Sequence, residues 1–255
     1  MSTPVETVAD ALAQAWRDKR PADAAPLERL LLGPEDAYAV QDQVARASGW
    51  FDAAVPRHWK SGGASRPAVM THAPLPPQRV WPSPSDARAA HFNLRLIEAE
   101  VALRLGREVG ADDAAALTPE AAPALVDAMT VSIEIVDSRW QQARDAGALL
   151  KLADLQSHGA LVLGEWVPFT ARDWAQQNCI VAIGNAAPKR FRGTHSLNDP
   201  AWLLPNWLRH VTRHGATVPR GTVVTTGTWC GMLEAHRGDR VHAVFDGIGE
   251  AEVQL

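Results

Sequence analysis

In the run Leu94-Arg95-Leu96-Ile97-Glu98-Ala99-Glu100-Val101-Ala102-Leu103, two glutamates are separated by a single residue. On a helix, positions i and i+2 point about 200° apart, whereas on a strand they share one face. The other parity (Ile97, Ala99, Val101, Leu103, Leu105) is wholly apolar, so the segment reads as a strand with one face in a core. Two carboxylates then project side by side from the opposite face. Their repulsion at neutral pH is tolerable if water screens them or if a cation lies between them. A third acid, Glu134, sits in a second β-like run, Val131-Ser132-Ile133-Glu134-Ile135-Val136. Three carboxylates from two strands supply half of an octahedral oxygen shell. Spacing alone does not separate this from a solvated strand face.

The rest of the chain reads as one domain of mixed class. Residues 5–20 and 34–48 carry apolar residues at helical spacing, and Pro34 with Glu35 and Asp36 opens the second helix while Gly49 closes it. Residues 61–90 are rich in Pro, Ser, Gly and Ala and read as a long loop. Thr118-Pro119-Glu120 is expected to open a short helix. Gly159–Gly164 and Ile180–Gly184 read as short strands, and a helix from Asn198-Asp199-Pro200 to Gly215 should bend or break at Pro205. The C-terminal stretch is β, with a turn at Asp246-Gly247. Strands and helices do not alternate regularly, so the fold class expected is α+β. The expected division is a helical N-terminal arm over 1–60 and a catalytic β domain over 61–255, forming one compact unit.

Composition excludes several function classes. A net charge of −4 gives no basic field, so neither nucleic acid nor an anionic membrane surface is expected as a partner. No apolar run approaches the roughly 20 residues that span a bilayer. The N-terminus lacks the pattern of a secretory signal, and Cys179 and Cys230 match no disulfide framework or zinc spacing, so a reducing cytoplasm is expected. The sequence has ten tryptophans against one tyrosine, dispersed along the chain as core or interface fillers.

Smaller constellations add candidates. Lys60, in His58-Trp59-Lys60-Ser61-Gly62-Gly63, is a lysine beside a glycine-rich turn that could bind a carboxylate or enolate, or simply face solvent. Asp154 and Ser157 precede an apolar strand, where Asp154 could equally cap a turn. Thr225-Thr226-Gly227-Thr228-Trp229 offers hydroxyls and backbone N–H groups to an anion. Of the nine dispersed histidines, His72 in the long loop is the candidate for chemistry. Nucleotide-loop, Gly-x-Ser-x-Gly, HExxH and CxxC patterns are absent.

From about residue 34 to the C-terminus, these pieces resemble the fumarylacetoacetate hydrolase superfamily in order and spacing. The branch is that of 2-keto-4-pentenoate (2-hydroxypenta-2,4-dienoate) hydratases and 4-oxalocrotonate decarboxylases. The matching pieces are Ala37-Tyr38-Ala39-Val40-Gln41, Trp59-Lys60, the Ile97–Arg107 run, Ile133–Arg139, Ala153-Asp154 with Ser157 and Gly159, Gly221–Thr228, Gly238–Val241 and Gly247-Ile248-Gly249. The resemblance implies a mixed, twisted β-roll, and Glu98, Glu100 and Glu134 as ligands of Mg²⁺ or Mn²⁺. It further implies a metal-dependent hydro-lyase acting on a small 2-oxo acid from aromatic-compound breakdown. Lys60, Asp154 and His72 would then be catalytic, with Ser157, Thr228, Trp59 and Trp229 lining the substrate pocket. It also implies a homo-oligomer, or a complex with a related decarboxylase or hydratase. Three pieces depart from the family pattern: Met70-Thr71-His72-Ala73-Pro74-Leu75 holds no acid, Asp154-Leu155-Gln156-Ser157 stands for Asp-Asn-Ala-Ser, and Lys60-Ser61-Gly62 stands for Lys-(Ile/Val)-Gly. His72 is the candidate replacement for the missing acid. The alternatives are decarboxylation, acylpyruvate hydrolysis, which lacks an identifiable His–Glu pair here, a catalytically silent partner subunit, and a binding module with no chemistry.

Overall fold

The computed structural model describes residues 2–52 and 55–255. Its N-terminal arm is two helices, α1 (Pro4–Asp18) and α2 (Pro34–Ser48). Thr3 and Glu6 form a reciprocal capping box at the start of α1, and Gly49, at φ 60°, closes α2 in the left-handed conformation.

The chain beyond the arm is mainly β. In chain order the strands are β1 (His58–Gly62), β2 (Thr71–Pro74), β3 (Val80–Pro82), β4 (Ser85–Asp86), β5 (Leu96–Leu105), β6 (Val126–Val136) and β7 (His158–Leu163). They continue with β8 (Val167–Pro168), β9 (Asn178–Ile183), β10 (Lys189–Arg192), β11 (Val223–Thr228), β12 (Leu233–Glu234), β13 (Arg240–Phe245) and β14 (Gly249–Gln254). The main sheet runs β2-β1-β11-β5-β6-β7-β3, with β12 beside β5 and β8 beside β6. A second sheet runs β10-β9-β13-β14-β4. Pairs β1–β11, β3–β7 and β14–β4 are parallel and the others antiparallel. The architecture is α+β, with mixed curled sheets and a helical N-terminal region. The expected boundary between residues 60 and 61 falls inside β1, which pairs into the main sheet.

Strand β5 has the alternation expected of it. Ile97, Ala99, Val101 and Leu103 are fully buried and join one core with Trp207, Trp229 and Phe245. Its other face is enclosed too, since Glu100 is only 3% exposed. A second apolar cluster joins Val8, Leu12, Val40 and Val44 of the arm to Trp140, Leu150 and Leu152. None of the ten tryptophans is exposed, so a single chain accounts for much of their burial.

Two expectations are corrected. The stretch read as a loop over 61–90 supplies β2, β3 and β4, all at sheet edges. Pro74 and Pro82 lack a backbone donor, and an edge is where a strand accommodates that. Thr118 opens no helix: its hydroxyl accepts from Ala121 N (3.3 Å) in a turn leading to the 3₁₀ turn Ala122–Leu125, while helix α3 (Ala111–Ala116) precedes it. Pro205 marks the expected break, where the 3₁₀ turn Pro200–Leu203 gives way to helix α5 (Leu204–Thr212), the helix after α4 (Ala148–Ala153) in chain order.

Candidate metal centre and active-site cavity

Strands β5 and β6 pair in a register that sets Glu98 opposite Glu134 and Glu100 opposite Ser132. Each carboxylate offers an oxygen within 4.8 Å of the others'. Glu98 and Glu100 line a cavity of about 880 Å³, and the fully buried Glu134 lies beneath it. Lys60 reaches in from β1, its Nζ donating to Glu134 Oε1 (2.6 Å) and to the carbonyl of Gln156 (3.2 Å).

A local device fixes Glu100. The pairing of β11 with β5 shifts between Thr225 and Thr228, and Gly227 takes φ 110° within that irregularity, a region closed to most side chains. The bulge turns Gly227 N (3.0 Å) and the Thr225 hydroxyl onto Glu100 Oε2. The Ser132 hydroxyl meets that of Thr225 at 2.9 Å. Opposite them, Leu155, Gln156 and Ser157 all take positive φ (50°, 54° and 59°), and this turn places Ser157 and the Gln156 carbonyl at the cavity. Its sharpness is matched by the close approach of β7 to β6: a Cβ on Gly159 would lie 2.5 Å from the Ile135 carbonyl oxygen.

The electrostatics fit a bound cation. Burial, then the neighbouring Glu100 and Glu134, raise the Glu98 pKa to about 8. Burial and Glu134 raise that of Glu100 to about 7. Burial also works against the charges of Glu134 and Lys60, but their mutual attraction prevails, holding the carboxyl below and the ammonium above their ordinary values. Glu134 Oε2 is buried with no hydrogen-bond partner among the described residues. A divalent cation would relieve the crowding and satisfy that oxygen, and an all-carboxylate set suits a hard ion such as Mg²⁺.

Residues 57–255 match the family model described as fumarylacetoacetate (FAA) hydrolase, C-terminal. The chain belongs to the fumarylacetoacetate hydrolase family. No curated protein matches it in sequence. Among solved structures, 4-oxalocrotonate decarboxylase from Pseudomonas putida G7, complexed with magnesium and adipate, superposes with a TM-score of 0.83 at 17% identity, covering 98% of this chain and 96% of that one. The same enzyme with calcium and acetate gives a TM-score of 0.81 at 17% identity over the same shares. The 2-hydroxyhepta-2,4-diene-1,7-dioate isomerase of Mycobacterium marinum gives 0.59 at 19%, covering 78% of this chain and 74% of that one. At such identities these likenesses speak to the fold alone.

Within this fumarylacetoacetate hydrolase fold, Glu98, Glu100, Glu134 and Lys60 come together, and Ser157 and Thr228 line the cavity beside them. Four other sequence candidates lie elsewhere. His72 pairs across the strands with Ser61, one residue out of phase with Lys60, and bonds the Ser61 hydroxyl (2.8 Å). Its ring packs 4.7 Å from that of His210, and burial lowers its pKa to about 3, so it stands off the cavity and uncharged. Asp154 accepts from Arg139 Nε (2.5 Å) and Arg139 N (2.9 Å) in a buried ion pair, with burial pushing its pKa up to about 6. Trp59 follows the same alternation away from Lys60 and meets Trp207 edge-on at 6.4 Å, while Trp229 is core, packed on His195 and Phe245. The apolar wall is made instead by Val69, Leu94, Val136, Leu149, Leu152 and Met232.

Sequence reasoning missed His158, which donates to Glu134, and the basic pair Arg144 and Lys151, which line the cavity. Nothing in the spacing of residues 134 and 158 announces their contact. The hydroxyl run 225–228 did carry a signal, though as an anion site rather than a cradle for Glu100.

Proposed function

We propose that the chain is a divalent-metal-dependent hydro-lyase acting on a small 2-hydroxydienoate or 2-oxo acid. The observation that carries this reading is the convergence of Glu98, Glu100 and Glu134 with Lys60 at one cavity. When bound, Mg²⁺ or Mn²⁺ would stabilise negative charge at the substrate's 2-oxygen. Glu98, Glu100 and Glu134 would hold it. Lys60 Nζ spends two of its three N–H groups on Glu134 and Gln156, leaving one for the substrate's anionic oxygen. Ser157 and Thr228 supply hydroxyls along the same wall, and the apolar residues opposite exclude water from the carbon chain. Ketonisation of the dienol gives a conjugated enone that accepts water at C4. The test is ultraviolet loss of 2-hydroxypenta-2,4-dienoate with Mg²⁺ or Mn²⁺ present and no release of CO₂.

A second reading, decarboxylation of a 4-oxalocrotonate-type diacid, is favoured by Arg144 and Lys151. Neither forms an ion pair among the described residues, and both line the cavity that holds the carboxylate cluster. They suit a distal carboxylate, and the likeness to a decarboxylase complexed with adipate points the same way. Stoichiometric CO₂ from 4-oxalocrotonate would establish it. Metal binding with turnover of neither acid would favour a silent partner subunit of a hydratase–decarboxylase complex. We propose a homo-oligomer as the working form, tested by light scattering.

A further inference from the structure

We propose that His158 is a positioning residue that aims the carboxylate of Glu134 at the divalent cation, a role that rests on the proposed metal dependence. His158 and Glu134 are both fully buried, and they meet at 3.0 Å between Nδ1 and Oε1. An ionised carboxylate only accepts, so Nδ1 carries the hydrogen. Lys60 donates to the same oxygen at 2.6 Å. Two donors on Oε1 pin the group's rotation and leave Oε2, which has no partner among the described residues, as the free acceptor.

The histidine's backbone is itself held in place, while its ring Nε2 is buried without a partner among the described residues and Nδ1 makes the ring's one hydrogen bond. Its backbone carbonyl accepts from Arg139 Nη1 (2.7 Å), and Arg139 is locked to Asp154. A chain of contacts Asp154–Arg139–His158–Glu134 therefore runs from the turn before β7 to the carboxylate cluster. This is the arrangement by which groups behind a metal ligand set its orientation and affinity. Lys60 by itself is a weaker guide, because its stem is flexible and its ammonium also serves Gln156 and the cavity.

The test is calorimetric titration of the metal-free full chain with Mn²⁺ alone, alongside thermal unfolding. His158→Leu removes the donor, and His158→Asn keeps an amide N–H near the position of Nδ1. Mn²⁺ binding by His158→Leu should weaken by about 10- to 100-fold, the range for lost partners of metal ligands, while His158→Asn stays close to wild type. If His158→Leu does not fold, His158→Asn is compared with His158→Gln, whose amide overshoots to the Nε2 position, and Asn should bind more tightly. Equal affinity of wild type and His158→Leu, or of Asn and Gln, would overturn the proposal. If wild type binds no Mn²⁺, the metal dependence itself fails and this role falls with it.

Discussion

Glu98 and Glu134 face each other directly across β5 and β6, two acids in a pairing position where like charges destabilise a sheet. A third, Glu100, adds to the repulsion on the same face. The fold offsets part of it with Lys60 on Glu134 and with the Thr225 hydroxyl and Gly227 N–H on Glu100. Glu98 feels the Lys60 charge but accepts no hydrogen bond among the described residues, and it has the highest carboxyl pKa of the three. The arrangement costs stability in the metal-free chain and is well suited to gaining it back from a cation.

Glu98→Gln should therefore do two opposite things. It should raise the melting temperature of the metal-free protein near neutral pH, by removing an acid that has to take up a proton to fit the crowded site. It should also abolish the stabilisation by Mg²⁺ or Mn²⁺, which for wild type at a hundred times Kd amounts to about 2.7 kcal/mol. Thermal unfolding with and without metal checks both. A variant that keeps the full metal-induced shift would remove Glu98 from the ligand set.

The Glu98–Glu100 pair sets a pH dependence. These two groups titrate near 8 and 7 in the folded chain, against an ordinary value of 4.5. Between those limits the metal-free fold binds more protons than the unfolded chain, so these groups withdraw stability as pH rises through the window. Metal loading requires them deprotonated. The Mg²⁺-induced rise in melting temperature should grow from about pH 6 towards about pH 8.5. Calorimetry in two buffers of different ionisation heat should show proton release on binding near neutral pH. Absence of any released proton would contradict the raised values.

What was legible in the sequence came from strand parity. Period-two alternation placed Glu98 and Glu100 on one face, and a similar apolar run flagged Glu134. Alternation also explains two candidates that stand off the cavity: Trp59 neighbours Lys60 in sequence, His72 pairs with Ser61 across the strands, and on strands a neighbour points the other way. Pairing between distant segments left no local trace. That His158 meets Glu134, or that Arg139 locks Asp154, depends on the register of β6 with β7 and on a turn of three left-handed residues. The edge strands between residues 71 and 86 were hidden because proline-rich sequence looks like loop wherever its pairing partner is unknown.

Asp154 and Arg139 form a buried pair joining the turn before β7 to the strand end after β6, and the Trp16 ring of the arm lies 4.3 Å from the guanidinium. Removing Asp154 would leave the buried Arg139 guanidinium with only Asp137, at 3.6 Å, as counter-charge, so the loss has as its upper bound the about 3–5 kcal/mol of a buried pair broken outright. Asp154→Asn should accordingly lower stability in denaturant unfolding by no more than that, while the folded fraction, saturated with metal, retains its kcat/KM. A large loss of kcat/KM at unchanged stability would return Asp154 to the chemistry.

Lys60 is expected to be the residue whose loss hurts turnover most without emptying the metal site. Its ammonium is held charged by the surrounding carboxylates, and one N–H remains for a substrate oxygen. Lys60→Ala removes a charge-assisted hydrogen bond worth about 1.5–3 kcal/mol. That corresponds to a fall in kcat/KM of about 10- to 150-fold. Mn²⁺ should bind no more weakly than to wild type at about pH 8, since a neighbouring positive charge has gone and His158 still holds Glu134 Oε1. A parallel loss of metal affinity would make Lys60 a clamp on Glu134 rather than a contact to substrate. Full activity in Lys60→Ala would shift recognition of the substrate anion to Ser157, Thr228 and the basic wall of Arg144 and Lys151.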